Sequence, residues 1–317
     1  MDSTNPDYKR LEPRKSRRLR PLRRWLQAAA ARALLTLTAP LPVRAMQRLG
    51  RIAGRLGHAW ERAERAVCEY QMRRVMPELG EAERARMTRR CFEHMGMTAF
   101  EALAMPRIRR DSARWLALED AIALRAAHAL GRGVVLVTAH CGNWEFLPVA
   151  AGQLRIPMTA VVKPLTNPRL NELMRRQRRA EFLELAERGG RNTAKVLLQA
   201  LRQGRVLVVA IDQDIDAQSV YADFFGLPAR TPRVAASLAL KLGVPIVAAF
   251  DRRREDGTHA IRFQAVPVSD AVRASADPEQ ALTQTLNNVI EAHIRAWPEQ
   301  WAWNHRRWLH EPSRGSD

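Results

Sequence analysis

Between residues 133 and 266 short apolar runs alternate with stretches of helical periodicity. The runs are GVVLVTA (133–139), PMTAVV (157–162), RVLVVAI (205–211), VPIVAAF (244–250) and HAIRFQAV (259–266). Most are continuously apolar rather than strictly alternating, which is the pattern of strands covered on both faces. Helices are expected between them at 144–154, 168–187, 193–203 and 234–242, with a further one at 278–296. The expected fold class is therefore α/β, a layered mixed sheet with helices on both faces. Residues 58–105 read as charged helix broken near Pro77 and Gly80, and a second helical pair is expected over 112–130.

The N-terminus has a different texture. YKRLEPRKSRRLRPLRRW is a dense basic arm, and only the residues from 33 to 43 are uncharged between Arg32 and Arg44. That is too short for the ~20 apolar residues a spanning helix needs. An interfacial helix fits better: Trp25, Leu26, Leu34, Leu35 and Leu37 face the acyl region while arginines meet anionic headgroups. The alternative is an ordinary amphipathic helix packed on the domain behind a disordered tail. The expected division is a basic disordered arm (1–24), a membrane-associating helix (25–57), a main domain (58–310; helical to 130, α/β from 131) and a tail (311–317).

An excess of 52 Lys+Arg over 33 Asp+Glu, net +19, implies acidic partners. Nucleic acid is the weakest of these, because no helix-turn-helix, zinc module or RNP-like motif is present and aromatic residues make up only 6%. The 3 cysteines are scattered without a CxxC pair, so neither a disulfide framework nor a zinc site is implied. No metal and no cofactor is assigned.

The first apolar run ends in HCGNWE (140–145). In open α/β sheets, sites gather where strands end. On one unbroken helix His140 and Glu145 would lie roughly 140° apart, so they meet only if the chain turns between them. Gly142 and Asn143 make that turn easy, and Asn143 can cap a helix beginning at Trp144. Glu145 is then expected to accept a hydrogen bond from one imidazole nitrogen and leave the other as a general base, with the helix N-terminus offering N–H groups to an anion. The competing reading is a satisfied strand-end histidine and a solvated carboxylate. Cys141 invites a rival role as nucleophile, but neighbouring side chains at a strand end point apart.

HCGNWE after an apolar strand resembles the H-x4-D/E motif of the glycerolipid acyltransferase superfamily, and within it the late acyltransferases of lipid A biosynthesis. Further segments follow in that family's order: KPLTNPRLNELMRRQRR (163–179), LRQGRVLVVAIDQD (201–214), FFGLPARTPRVAASLALKLGVPIV (224–247) and PEQWAWNHRRW (298–308). The resemblance covers about 130–308. It implies transfer of a fatty acyl chain from an acyl carrier protein thioester, or acyl-CoA, to a hydroxyl of a membrane lipid. A lipid A precursor is the first choice of acceptor; a lysophospholipid, another glycolipid or an amino-acid lipid is the alternative. The setting implied is the cytoplasmic face of a bacterial inner membrane.

On this resemblance His140 and Glu145 are the catalytic pair, and Arg178, Asp212, Asp214, Thr231 and Asn143 are substrate-binding. Arg178, with Arg175 and Arg179 beside it, suits a phosphate or an oxyanion. Asp212 and Asp214 share a face of an extended end, where one of them can orient Arg178 or the acceptor headgroup. Thr231 stands at an expected helix start, as an anion cradle or merely an N-cap. Trp297, Trp301, Trp303 and Trp308 read as packing or as an interface belt.

Overall fold

A computed structural model describes residues 3–5, 7–8, 20–190 and 192–312. The helices are α1 (Arg20–Thr38), α2 (Val43–Trp60), α3 (Arg62–Val75), α4 (Glu81–Arg110), α5 (Ser112–Trp115), α6 (Ala121–Ala129), α7 (Leu147–Leu154), α8 (Pro168–Arg178), α9 (Thr193–Arg202), α10 (Val234–Leu242), α11 (Asp270–Ala274) and α12 (Pro278–Ala296). The strands are β1 (Ser3–Thr4), β2 (Leu116–Glu119), β3 (Val134–Thr138), β4 (Met158–Val162), β5 (Leu183–Glu187), β6 (Val206–Ala210), β7 (Ser219–Phe224), β8 (Leu227–Pro232), β9 (Ile246–Arg253), β10 (His259–Val266) and β11 (His310–Glu311).

The expected mixed sheet is present. It has 7 strands in the order β2-β10-β9-β3-β6-β4-β5, with all neighbours parallel except β9 and β10. Its centre is buried on both faces because alternate residues of β3 point opposite ways. Val135 and Val137 join a core with α10, α12 and the C-terminal tryptophans, while Val134 and Leu136 join a second with α4, α7 and Phe146. β3 lies between β9 and β6, so the C-terminal ends of three parallel strands converge on the segment after Thr138.

Both sheet edges differ from expectation. Residues 183–187 form β5, not the end of a helix running from 168, and 116–119 form β2 inside the expected helical pair. Their sequences, LALE and LELAE, are built of good helix formers. Pairing with β10 and with β4 overrides that preference. The β7–β8 hairpin was not anticipated either; its turn places Phe225 and Gly226 at positive φ.

The expected single helix over 25–57 is two helices, interrupted between Thr38 and Val43, where Pro40 and Pro42 cannot continue a helical ladder. Among the described residues no helix is long and apolar enough to cross a membrane. Trp25, Leu26, Leu34 and Leu37 are exposed on α1, whereas Leu35 is half-buried. Most of the basic arm lies outside the described residues. What is described of it is folded: β1 pairs with β11 of the C-terminal tail, and Tyr8 is buried with its hydroxyl donating to Gln71 Oε1 at 2.9 Å. α2 crosses α4 at glycines, and a Cβ on Gly96 would overlap the Gly50 carbonyl oxygen.

Candidate active site

His140 follows β3 and Asp212 follows β6, the next parallel strand. The carboxylate of Asp212 is fully buried and grips His140 twice. It accepts the His140 backbone N–H at 2.9 Å through Oδ2 and pairs with Nδ1 at 2.9 Å through Oδ1. Trp301 Nε1 donates to the same Oδ2 at 2.8 Å. With Nδ1–H directed at a carboxylate, the basic lone pair of the imidazole is on Nε2. Burial alone would depress the His140 pKa, but the Asp212 charge and hydrogen bond outweigh it and raise it. Burial pushes Asp212 upward, yet its contacts with His140 hold it well below the usual carboxylate range.

The expected hydrogen bond between His140 and Glu145 is therefore not the one formed. Asn143 accepts the Glu145 N–H and starts a 3₁₀ turn (Trp144–Phe146), as its capping role predicted. That turn directs the Glu145 carboxylate to Arg178, which donates from Nε at 2.9 and 3.1 Å and from Nη2. A bidentate, charge-assisted pair of this kind is stronger than a neutral contact to an imidazole. Arg178 is thus held beside His140 by Glu145, and lines the same cavity. Asp212 joins the site through His140 instead of orienting Arg178.

Asp214, Thr231 and Asn143 make their contacts within the protein. Asp214 pairs with Arg230 of β8 at 3.5 Å and with His310 Nδ1 of the C-terminal segment at 2.9 Å. Thr231 is in β8, not at a helix start. Its hydroxyl, fully buried, takes donors from Arg307 at 2.6 Å and Asn287 at 3.2 Å and donates to Ala229 O. Asn143 is equally buried and its polar groups serve the protein: its N–H goes to Asp251 at 2.6 Å and its Nδ2 to Glu101 at 2.8 Å. The turn's amides are mostly spent, since the N–H groups of Gly142, Asn143, Glu145 and Phe146 all have partners. The expected cradle of free N–H groups is thus largely absent. Cys141 is buried, and burial pushes its thiol well above the ordinary range, which does not suit a nucleophile.

One group of residues gave no signal in the sequence. Asp251 lies in β9, two residues before its end, and its Oδ2 accepts from both Asn143 N and His259 Nδ1, the latter at 2.7 Å. Glu101 of α4 receives Asn143, Arg253, His259 and Gln47. Burial disfavours the imidazolium of His259, but Asp251 and Glu101 outweigh it and raise its pKa to about 9. This buried network lies beneath the turn, and Gly142 seals it. At φ +57° a Cβ there would sit 2.5 Å from Asp251 Oδ2, so the position requires glycine. From the other side the tryptophan tail clamps the motif, with Ala302 N donating to the His140 carbonyl at 3.0 Å and Gly142 N to the Gln300 carbonyl at 2.8 Å. Trp301, Trp303 and Trp308 are all buried, so packing, not an interface belt, is their role.

His140 opens onto a cavity of about 310 Å³. Trp144, Glu145, Arg178 and Lys163 line it with His140, and Leu147, Met158, Leu183, Leu185 and Val208 supply apolar wall. A polar cluster beside an apolar slot suits a substrate with one reactive polar group on a long hydrocarbon.

Residues 12–310 match the family model described as bacterial lipid A biosynthesis acyltransferase. The chain belongs to this family. It is 27% identical over 282 residues to the lipid A biosynthesis lauroyltransferase of Escherichia coli (strain K12), covering 88% of this chain and 90% of that one. It is 25% identical over 283 residues to the lipid A biosynthesis palmitoleoyltransferase of the same strain, covering 88% and 90%. With the phosphatidylinositol mannoside acyltransferase of Mycobacterium tuberculosis (strain ATCC 25618 / H37Rv) it shares 29% identity over 191 residues, 59% of this chain and 58% of the other. As a member of the lipid A acyltransferase family the chain is an acyltransferase, and the likeness read from HCGNWE and the segments after it holds.

Proposed function

We propose that the protein transfers a fatty acyl chain from an acyl carrier protein thioester, or from acyl-CoA, to a hydroxyl of a lipid A precursor. His140 is the general base in this reading, and Asp212 is its orienting partner. The observation that carries it is the Asp212–His140 pair at the mouth of an apolar slot. Nε2 takes the proton of the acceptor hydroxyl as its oxygen attacks the thioester carbonyl. The tetrahedral intermediate expels the thiolate, which recovers a proton from the imidazolium, so the histidine ends as it began. Asp212 stabilises the charged imidazole between these two transfers.

Arg178, held by Glu145, is a cation at the cavity wall for the developing oxyanion or an acceptor phosphate. The apolar wall of the slot, from Leu147, Met158, Leu183, Leu185 and Val208, suits a hydrocarbon chain. The extent of the likeness favours a lipid A acceptor. The lipid A relatives align over 88% of the chain and the mannoside acyltransferase over 59%. A different glycolipid is the second reading.

The exposed apolar residues of α1 and α2, set among arginines, support attachment to an anionic bilayer, on the cytoplasmic face of the inner membrane in this reading. The test is product mass spectrometry after incubation with donor and acceptor. His140→Ala should cut transfer by about 10²–10⁴-fold with folding unchanged. Undiminished transfer by that variant would refute the assigned base.

A further inference from the structure

We propose that the cleft between α2, α4 and the β9–β10 hairpin is a second anion site, taking the phosphate headgroup of an anionic bilayer lipid while the apolar stripe of α2 sits in the bilayer beside it. The proposal rests on the membrane-bound reading above and assigns the face that docks.

α2 carries three faces, and the two exposed ones step by three or four residues, the spacing of neighbours on one helix face. Val43, Met46, Gln47, Gly50 and Gly54 are buried against the domain. Leu49, Ile52, Leu56 and Trp60 are exposed, Trp60 at 77% and Ile52 at 52%, on a helix whose inner face is already satisfied. Arg44, Arg48, Arg51 and Arg55 form the third stripe, also exposed. An apolar stripe flanked by guanidiniums is the pattern of a helix lying in an anionic lipid interface.

Beside the arginine stripe opens a cavity of about 660 Å³, lined by Arg51, Arg90, Arg252, Arg253 and Arg254 against Glu93, Glu255 and Glu299. The acids are largely committed. Glu93 pairs with Arg55 at 2.8 Å and Glu299 with Arg90 at 3.4 Å. Arg252 and Arg254 share one carboxylate, Glu119, at 2.9 and 3.0 Å. Among the described residues the one hydrogen bond of Arg51 goes to the sulfur of Met97, at 3.8 Å. Arg253 is paired with the buried Glu101, and Glu255, which is exposed, opposes the remaining cations without reversing the balance.

The cleft also holds a preset neutral donor. Arg253 Nη1 must donate to His94 Nδ1, 2.7 Å away, which fixes the remaining imidazole proton on Nε2. Burial and the neighbouring arginines lower the His94 pKa to about 3, so it stays neutral. Nε2–H has no protein partner among the described residues, and His94 lines the cleft. Guanidiniums around a fixed N–H donor match the oxygens of a phosphate ester.

The full chain should be sedimented with phosphatidylcholine vesicles with and without phosphatidylglycerol, comparing wild type, Arg51→Ala/Arg90→Ala, Ile52→Ser/Leu56→Ser and a charge-matched control, Arg125→Ala/Arg202→Ala. Loss of the two cleft arginines should weaken binding to the anionic vesicles on the order of tenfold. The control should lose much less, and the stripe variant should lose binding to both vesicle types. Glycerol phosphate should compete weakly. Equal losses in cleft and control variants would reduce the effect to net charge and overturn the site. Strong stabilisation by glycerol phosphate without any vesicle difference would reassign the cleft to a free phosphate ester. Wild-type vesicle binding by the cleft variant, with weakened binding of an acidic carrier protein, would reassign it to that partner; both results overturn the lipid assignment. Acyl transfer to detergent-dispersed acceptor, measured alongside, separates the two readings. Transfer without a cleft effect sinks only this inference, and a cleft effect without transfer sinks only the proposed reaction on a lipid A precursor.

Discussion

At the residue scale the site turns on which carboxylate holds His140. The Asp212 pair raises the His140 pKa against the opposing effect of burial, and a base works only when deprotonated. Activity should therefore climb with pH through an apparent pKa above the ordinary histidine value of ~6.5. Asp212→Asn should move that limb to lower pH and cost kcat about 10²–10⁴-fold; a kcat/KM–pH profile of both proteins checks this. Glu145→Gln should leave the limb nearer its wild-type position, because Glu145 is bonded to Arg178. Cys141→Ala should transfer acyl groups at close to the wild-type rate, as measured by product mass spectrometry, since its thiol is buried and its pKa is raised. His140 was legible in the sequence because it ends an apolar strand at a turn. Its partnership with Asp212 was not, because it depends on β6 lying next to β3, and the two residues are 72 positions apart. Thr231 misled for a related reason. A helix does begin three residues later, but the chain reaches it as the second strand of a hairpin whose buried side takes the hydroxyl.

Elements carry the next level of the account. The crossing of α2 on α4 depends on backbone-to-backbone approach at Gly50, Gly54 and Gly96. Gly96→Ala should force the helices apart and lose about 1–3 kcal/mol, read from denaturant unfolding. Gly152→Ala, in α7 with nothing within 4 Å of the added carbon, should be neutral or stabilising. Met158, buried in β4 at the wall of the slot, limits its volume. Met158→Ala should shift the acyl products toward longer chains when donors compete. Central strands were readable because burial on both faces makes them continuously apolar. The edges β2 and β5 were not, since strands of Leu, Ala and Glu carry helical preference and take their form from a neighbour. The buried ion network under the turn was illegible for a further reason. Glu101 comes from the middle of α4 and Asp251 from β9, so only the assembled fold puts them together.

For the whole molecule, the order of segments after residue 130 was the strongest signal, and the family match over 12–310 agrees with it. The net charge of +19 gains a structural setting from the arginine stripe of α2 and from the cations around the cleft and slot. Because exposed charges act over a Debye length of ~8 Å at physiological salt, transfer at subsaturating donor should slow as salt rises. The most direct measurement of the central claim gives the purified chain a medium-length acyl carrier protein thioester with an equimolar mixture of a lipid A precursor, a lysophospholipid and a phosphatidylinositol mannoside, then weighs every lipid by mass spectrometry. One added acyl group is expected on the lipid A precursor ahead of the others. Release of free fatty acid with all three acceptors unchanged would contradict it.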